Sequence, residues 1–313
     1  MRRKRYIIAY LAGDGIGPEL TAEASRALRA VSQMHGFQID ELHAPFGREA
    51  VARYGHALPL HTRDTYRAAD AVLVASTRDP AIEGVKADLD LTWRVQRVRN
   101  SDGCDLAIVS PLVREGELWA IRRAFEIARS RRARVSCISE SDEWRRVVDV
   151  TAERHEGVLV EHLSLAESFP LLADEPQHFC VVLTERPFAD AVSDLAASGS
   201  DGSRIVASGR LSEYGPGIFG PTHGSAPDIA GQGIANPSGI LLAASLLLAE
   251  GLDRRAAART LERAVTDTIG NGVRTADLPG QGAAATTRSF MDAVLELLPG
   301  ARTDVEFHPG YVV

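Results

Sequence analysis

The 313-residue chain carries 35 basic side chains, of which only Lys4 and Lys86 are lysines, against 42 acidic ones, for a formal net charge of −7. A mildly acidic balance without a basic block leaves no electrostatic footprint for nucleic acid, and the lack of a GxxxxGK string excludes a P-loop nucleotidase. Any chemistry that needs a lysine must use Lys4 or Lys86.

Length alone suggests about two domains, each able to bury a core. Arg2, Arg3, Lys4 and Arg5 precede an apolar run of about seven residues, short for a signal segment, which flows directly into GDGIGPE and reads as a first strand over Tyr6 to Leu11. After Pro18, a residue tolerated in a first helical turn, Leu20, Ala24, Ala27, Leu28 and Val31 recur at helical spacing. Strands are predicted over Ala71 to Ala75, Leu89 to Val98, Asp105 to Val109, Arg134 to Ile138, Val158 to Leu163 and Cys180 to Thr184. Further helices are predicted over Trp119 to Ser130, Trp144 to Arg154, Pro237 to Gly251, Asp253 to Ile269 and Thr286 to Leu298. The alternation is that of an α/β protein. Ile240 to Ala249 is the most apolar stretch, but its ten residues are about half a bilayer span, so it reads as a buried helix and not a membrane segment. Cys104, Cys137 and Cys180 lie far apart in or beside apolar runs without metal spacing, as reduced core thiols of a cytoplasmic protein would.

Within Leu89 to Val98 the alternation separates two faces: Leu89, Leu91, Trp93 and Val95 are apolar, while Asp90, Thr92, Arg94 and Gln96 are polar. A strand of this kind meets solvent or lines a cleft.

Two glycine clusters stand out. Gly13-Asp14-Gly15-Ile16-Gly17 sits between a strand and a helix, yet its G-x-G-x-G spacing followed by Pro18 is not the Rossmann dinucleotide fingerprint. The second, Gly217 to Pro237, reads as a loop of about twenty residues, and so long a loop in a compact domain is usually functional. Its glycines free backbone N–H groups to face a ligand, and Asp228 offers acceptors for a sugar diol.

GDGIGPE and HGSAPDIAGQGIANP together resemble the isocitrate and isopropylmalate dehydrogenases, the β-decarboxylating dehydrogenases, with isopropylmalate dehydrogenases the more similar branch. Asp70 to Pro80, Ala120 to Arg132, Cys180 to Asp194 and Gly272 to Gly282 extend the resemblance over nearly the whole chain. It implies a two-domain α/β fold with a mixed sheet flanked by helices, residues 1–99 with 203–313 forming a large domain and 100–202 a small one. It also implies a cleft for substrate, metal and NAD, and a homodimer joined through the small domains. The nucleotide loop would comprise His223, Gly224, Ser225, Ala226, Pro227, Asp228, Ile229 and Asn236. NAD is favoured over NADP because the Asp228 carboxylate would repel a 2′-phosphate.

The reaction the resemblance implies oxidises a 2-hydroxy acid and releases its 3-carboxylate as CO2, with Mg2+ or Mn2+ bound by carboxylates. Asp190 and Asp194, four apart in a helix and so on one face, match two of those metal carboxylates, Asp190 being also a candidate catalytic group. The third position holds Ala166, with Glu167 next to it. The family lysine is replaced by Glu140, and the segment bearing the family tyrosine is missing. Of the three substrate-clamping arginines, the positions hold Lys86, Gln96 and Ser110, with Arg94 and Arg114 close by in sequence as further substrate-binding candidates. Acid and base groups are each worth about 10²–10⁴-fold in rate, so losing two rebuilds the reaction half of the site. Three functions follow: an NAD-dependent, metal-assisted oxidoreductase acting on an altered hydroxy acid; a non-catalytic regulatory member that binds nucleotide and pairs with a paralogue; or a metal-dependent, non-redox decarboxylase or lyase.

Overall fold

In the computed structural model, which describes residues 4–77, 79–99, 104–198, 205–278 and 283–299, the chain divides into two units. The first comprises Met1–Asp90, Ala207–Gly209 and Tyr214–Val313, and the second Leu91–Val206 and Arg210–Glu213.

In the first unit, β1 (Arg5–Leu11) is parallel to β2 (Gln38–His43) on one side and to β3 (Ala71–Val74) on the other. Its position between two strands explains why Ile8 to Leu11 are buried on both faces, as the nearly unbroken apolar sequence demands. α1 (Gly17–Met34) sends Leu20, Ala24, Ala27, Leu28 and Val31 into the core, each fully buried. The short helices α2 (Arg48–Tyr54), α3 (Leu60–Arg67) and α4 (Ile82–Asp88) complete the first stretch.

The second unit contains β4 (Trp93–Arg99), β5 (Asp105–Pro111), α5 (Glu117–Arg129), β6 (Arg134–Ile138), α6 (Asp142–Ala152), β7 (Leu159–Leu163), α7 (Leu165–Asp174), β8 (Val181–Thr184) and α8 (Ala189–Ala197). Its strands run in the order β4-β5-β8-β6-β7; β4 and β5 are antiparallel and the remaining pairs parallel, so the sheet is mixed. The second unit begins ahead of β4 because that strand pairs along its whole length with β5; the large domain expected over residues 1–99 therefore ends earlier. Cys104, Cys137 and Cys180 are buried, and burial pushes the Cys137 thiol up to about 12.

β9 (Ile205–Leu211) has residues in both units and leads to β10 (Gly217–Pro221), α9 (Ser238–Leu246), α10 (Arg255–Gly270) and α11 (Thr287–Glu296). β10 pairs in parallel with β3, so the first five residues of the predicted glycine-rich loop form a strand. Its glycine is the reason: a side chain at Gly220 would lie 2.5 Å from a Val74 methyl. α9 is buried at every position, which is why its sequence is apolar all round. No helix among the described residues is long and apolar enough to cross a membrane.

Candidate active site

The two glycine motifs meet within the first unit. Gly13 and Gly15 both adopt positive φ, 65° and 63°, and the turn they make presents the Ile16 N–H to the Ser225 carbonyl at 2.9 Å. A Cβ on Gly15 would stand 1.8 Å from that same oxygen, so the close approach of the two loops requires glycine.

Five side chains from four other segments fix the rest of the second loop. The Ser76 hydroxyl donates to the His223 carbonyl at 2.7 Å, and Thr77 donates through its hydroxyl to Pro221 at 2.9 Å. Glu19 accepts from the Gly233 N–H at 3.2 Å. The Thr287 hydroxyl donates to Ala235 at 2.7 Å. Asn236 is held at both ends of its amide, its Nδ2 donating to Asp277 at 2.9 Å and its Oδ1 accepting from the Ser238 N–H at 2.9 Å. Ala226 is held at φ 38°, a conformation that costs an L residue energy. Asp228 is exposed, and among the described residues its carboxylate has no hydrogen-bond partner; only its backbone oxygen is used, by Gln232 at 2.8 Å. The loop is therefore rigid at its backbone and open at its one acidic side chain. Among the predicted nucleotide residues, Pro227 and Gly224 are also exposed, while His223, Ser225, Ala226, Ile229 and Asn236 are half-buried. Sequence reading missed the supports Ser76, Thr77, Asp277 and Thr287, which lie up to about 150 residues from the loop they hold.

Next to the first turn, Asp14 accepts from the Arg48 N–H at 2.7 Å, and buried Asp79 accepts from the Ala81 N–H at 2.8 Å. Burial raises the Asp79 carboxyl above its ordinary range, with Asp14 adding to the effect. Lys86, the surviving charge of the expected clamp, is bound to Glu83 at 2.5 Å on α4.

In the second unit, the polar face of β4 meets neither solvent nor an open groove; α8 covers it. Arg94 Nη1 donates to Asp190 at 2.7 Å, and Gln96 accepts from the Ser193 hydroxyl. Ser110, the register partner of Arg94 on β5, is fully buried with no partner for its hydroxyl. Asp194 lies one turn beyond Asp190, exposed. Arg114 is exposed in a single turn before α5.

Glu140 and Glu167 come together at a different place, the start of α7. Glu140 accepts from the Leu165 N–H at 2.7 Å, and Glu167 accepts from the Ser164 N–H at 2.8 Å and its hydroxyl at 2.7 Å. Glu167 and Ser164 thus form a capping box, and the Ser164 N–H holds the exposed Glu167 carboxyl below its ordinary range. Among the described residues, no three His, Cys, Asp or Glu side chains are grouped to hold a metal ion. Two carboxylates on α8, one of them ion-paired to Arg94, do not by themselves fit a hard divalent ion, which seeks six or more oxygens. The second unit's own sequence also contains neither lysine nor tyrosine.

A mixed sheet flanked by helices, in a chain whose long glycine-rich loop is not a Rossmann turn, places the protein among the β-decarboxylating dehydrogenase folds. The chain belongs to the isocitrate/isopropylmalate dehydrogenase family, whose sequence model matches residues 7–95 and 96–294. It is 34% identical to a 3-isopropylmalate dehydrogenase of Synechococcus sp. (strain CC9605), over 88% of this chain and 94% of the relative. It is 32% identical to that of Streptococcus pneumoniae (strain ATCC BAA-255 / R6), over 93% and 99%. Among solved structures, a β-decarboxylating dehydrogenase from Thermococcus kodakarensis in its apo form superposes with a TM-score of 0.78 at 28% identity, covering 94% of this chain and 96% of that one.

Proposed function

We propose that the protein is an NAD-dependent oxidoreductase that acts on a 2-hydroxy acid and has altered substrate and acid/base groups. One observation carries the reading: the loop from His223 to Asn236 is braced by side chains of four distant segments while the Asp228 carboxylate is left without an internal partner. Bound NAD would supply the hydride acceptor. Asp228 would receive the two ribose hydroxyls, and the fixed backbone from Gly224 to Ile229 would orient the nucleotide. Glu140, with one carboxylate oxygen anchored by the Leu165 N–H, is the candidate to move the substrate proton through its other oxygen. Lys86, Arg94, Gln96, Ser110 and Arg114 are the candidates for binding substrate. Mg2+ or Mn2+ would be held by Asp190 and Asp194 with Glu167, but their arrangement in this chain does not fit the ion. A cytoplasmic homodimer is part of the proposal.

The complete lack of lysine and tyrosine in the second unit favours a second reading, a regulatory member that binds nucleotide beside an active paralogue. Titration calorimetry with NAD tests both, since absence of binding sinks either. Turnover of any hydroxy acid by the purified protein alone would eliminate the second.

A further inference from the structure

We propose that Arg94 is the resident cation of the α8 carboxylate pair, so that Asp190 and Asp194 do not recruit a divalent metal ion. The inference rests on reading these two residues as the family's metal carboxylates, and not on nucleotide binding. Arg94 lies within β4, 6% exposed, and brings a guanidinium cation into that buried face. Its one carboxylate partner among the described residues is Asp190, at 2.7 Å. The other groups on the same face are neutral: Gln96 is taken by the Ser193 hydroxyl, and Ser110 stands opposite Arg94 in register.

A metal ion at Asp190 would either displace the counter-ion of this buried charge or share the carboxylate with it, and in both cases would add a second positive charge beside it. Such a pair is screened less than one in open water. The remaining oxygens do not compensate. Asp194 offers one exposed carboxylate, and Glu167 is already engaged by the Ser164 N–H and hydroxyl at the start of α7. A guanidinium also differs from a metal in what it recognises: its planar donors match a carboxylate, and the carboxylate it holds here is that of Asp190.

Manganese(II) titration of the full-length protein, followed by electron paramagnetic resonance of the free ion, tests this. The wild type and Asp190→Asn should bind Mn2+ with affinities within about 3-fold of each other. Arg94→Gln should bind at least about 10-fold more tightly, and Asp190→Asn added to it should abolish the gain. Mn2+ binding by the wild type that weakens about 10-fold or more in Asp190→Asn would overturn the proposal, as would a folded Arg94→Gln that gains nothing. Asp190 is exposed, so the first comparison stands even if Arg94→Gln does not fold. NAD calorimetry on the same wild-type sample separates failure of the nucleotide reading from failure of this one.

Discussion

Asp228 should set both the strength and the identity of nucleotide binding. Its carboxylate is exposed and unpaired within the described structure, so removing it takes nothing from the fold. Hydrogen bonds to a charged acceptor contribute about 1.5–3 kcal/mol, so Asp228→Ala should weaken NAD about 10- to 150-fold while leaving the unfolding temperature unchanged. Against NADP the carboxylate opposes a phosphate of nearly two negative charges. At about 4 Å in a water-like dielectric this repulsion is about 2 kcal/mol, roughly 30-fold in affinity, and it should shrink as salt is added. Calorimetric titration of wild type, Asp228→Asn and Asp228→Ala with both nucleotides at low and high salt reads each term separately. Asp228→Asn keeps acceptor capacity but loses the charge, so it should lose discrimination more than affinity. An unchanged preference for NAD in Asp228→Asn would refute the electrostatic argument, and unchanged affinity in Asp228→Ala would refute the assignment of the loop.

Other outcomes follow from the same geometry. Gly15→Ala places a methyl 1.8 Å from the Ser225 oxygen at a positive φ, so thermal unfolding should show destabilisation of about 3 kcal/mol or more together with loss of NAD binding. Asp277→Ala frees one end of the Asn236 amide and should weaken NAD by about 5- to 10-fold, with Asp277→Asn recovering part of it. Asp190→Asn should lower stability by about 1 kcal/mol because buried Arg94 loses its partner, a modest figure because Asp190 is exposed, whereas Asp194→Asn should fall within about 0.5 kcal/mol of wild type in chemical denaturation. Glu41 lies in the first unit; burial pushes its carboxyl up, but hydrogen bonds from His43, Arg29 and Ser25 outweigh this and hold it down to about 2. A folded-state value below the unfolded one stabilises above the unfolded pKa and is lost as pH falls through the folded one. Glu41→Gln should therefore cost about 3 kcal/mol near neutral pH, and its difference from wild type should fade between about pH 4.5 and 2 in acid titrations of stability.

The elements that were legible in the sequence are those whose burial is patterned locally. β1, β3, β6 and β8 are buried on both sides and read as apolar runs, and α1 shows its core face at helical spacing. β2 was not legible: Gln38–His43 is mostly polar, with only Ile39 and Leu42 apolar, because it is an edge strand with no fully buried position. β9 and β10 escaped because glycines interrupt their pattern, and Gly220 in β10 is explained only by Val74 of the neighbouring strand, which a side chain there would meet. For the site, the motif residues around Asp228 were named from the sequence, but their supports were not. Ser76, Asp277 and Thr287 carry no local signal, since a hydroxyl or carboxylate on a turn is ordinary until its distant partner is known.

The sequence by itself determined the α/β class, the two glycine motifs and the absence of a well-placed lysine, because these depend on residue type and short-range spacing. Only the tertiary structure decided what the polar residues do. Arg94 and Gln96 have the alternation of a solvent-facing or cleft-lining strand, yet both are buried against α8, and Glu140 and Glu167 both accept N–H groups at the N-terminus of α7. A charged side chain's role is set by the counter-charge and the N–H groups that packing brings to it, and those partners here lie as many as 96 residues away in the chain.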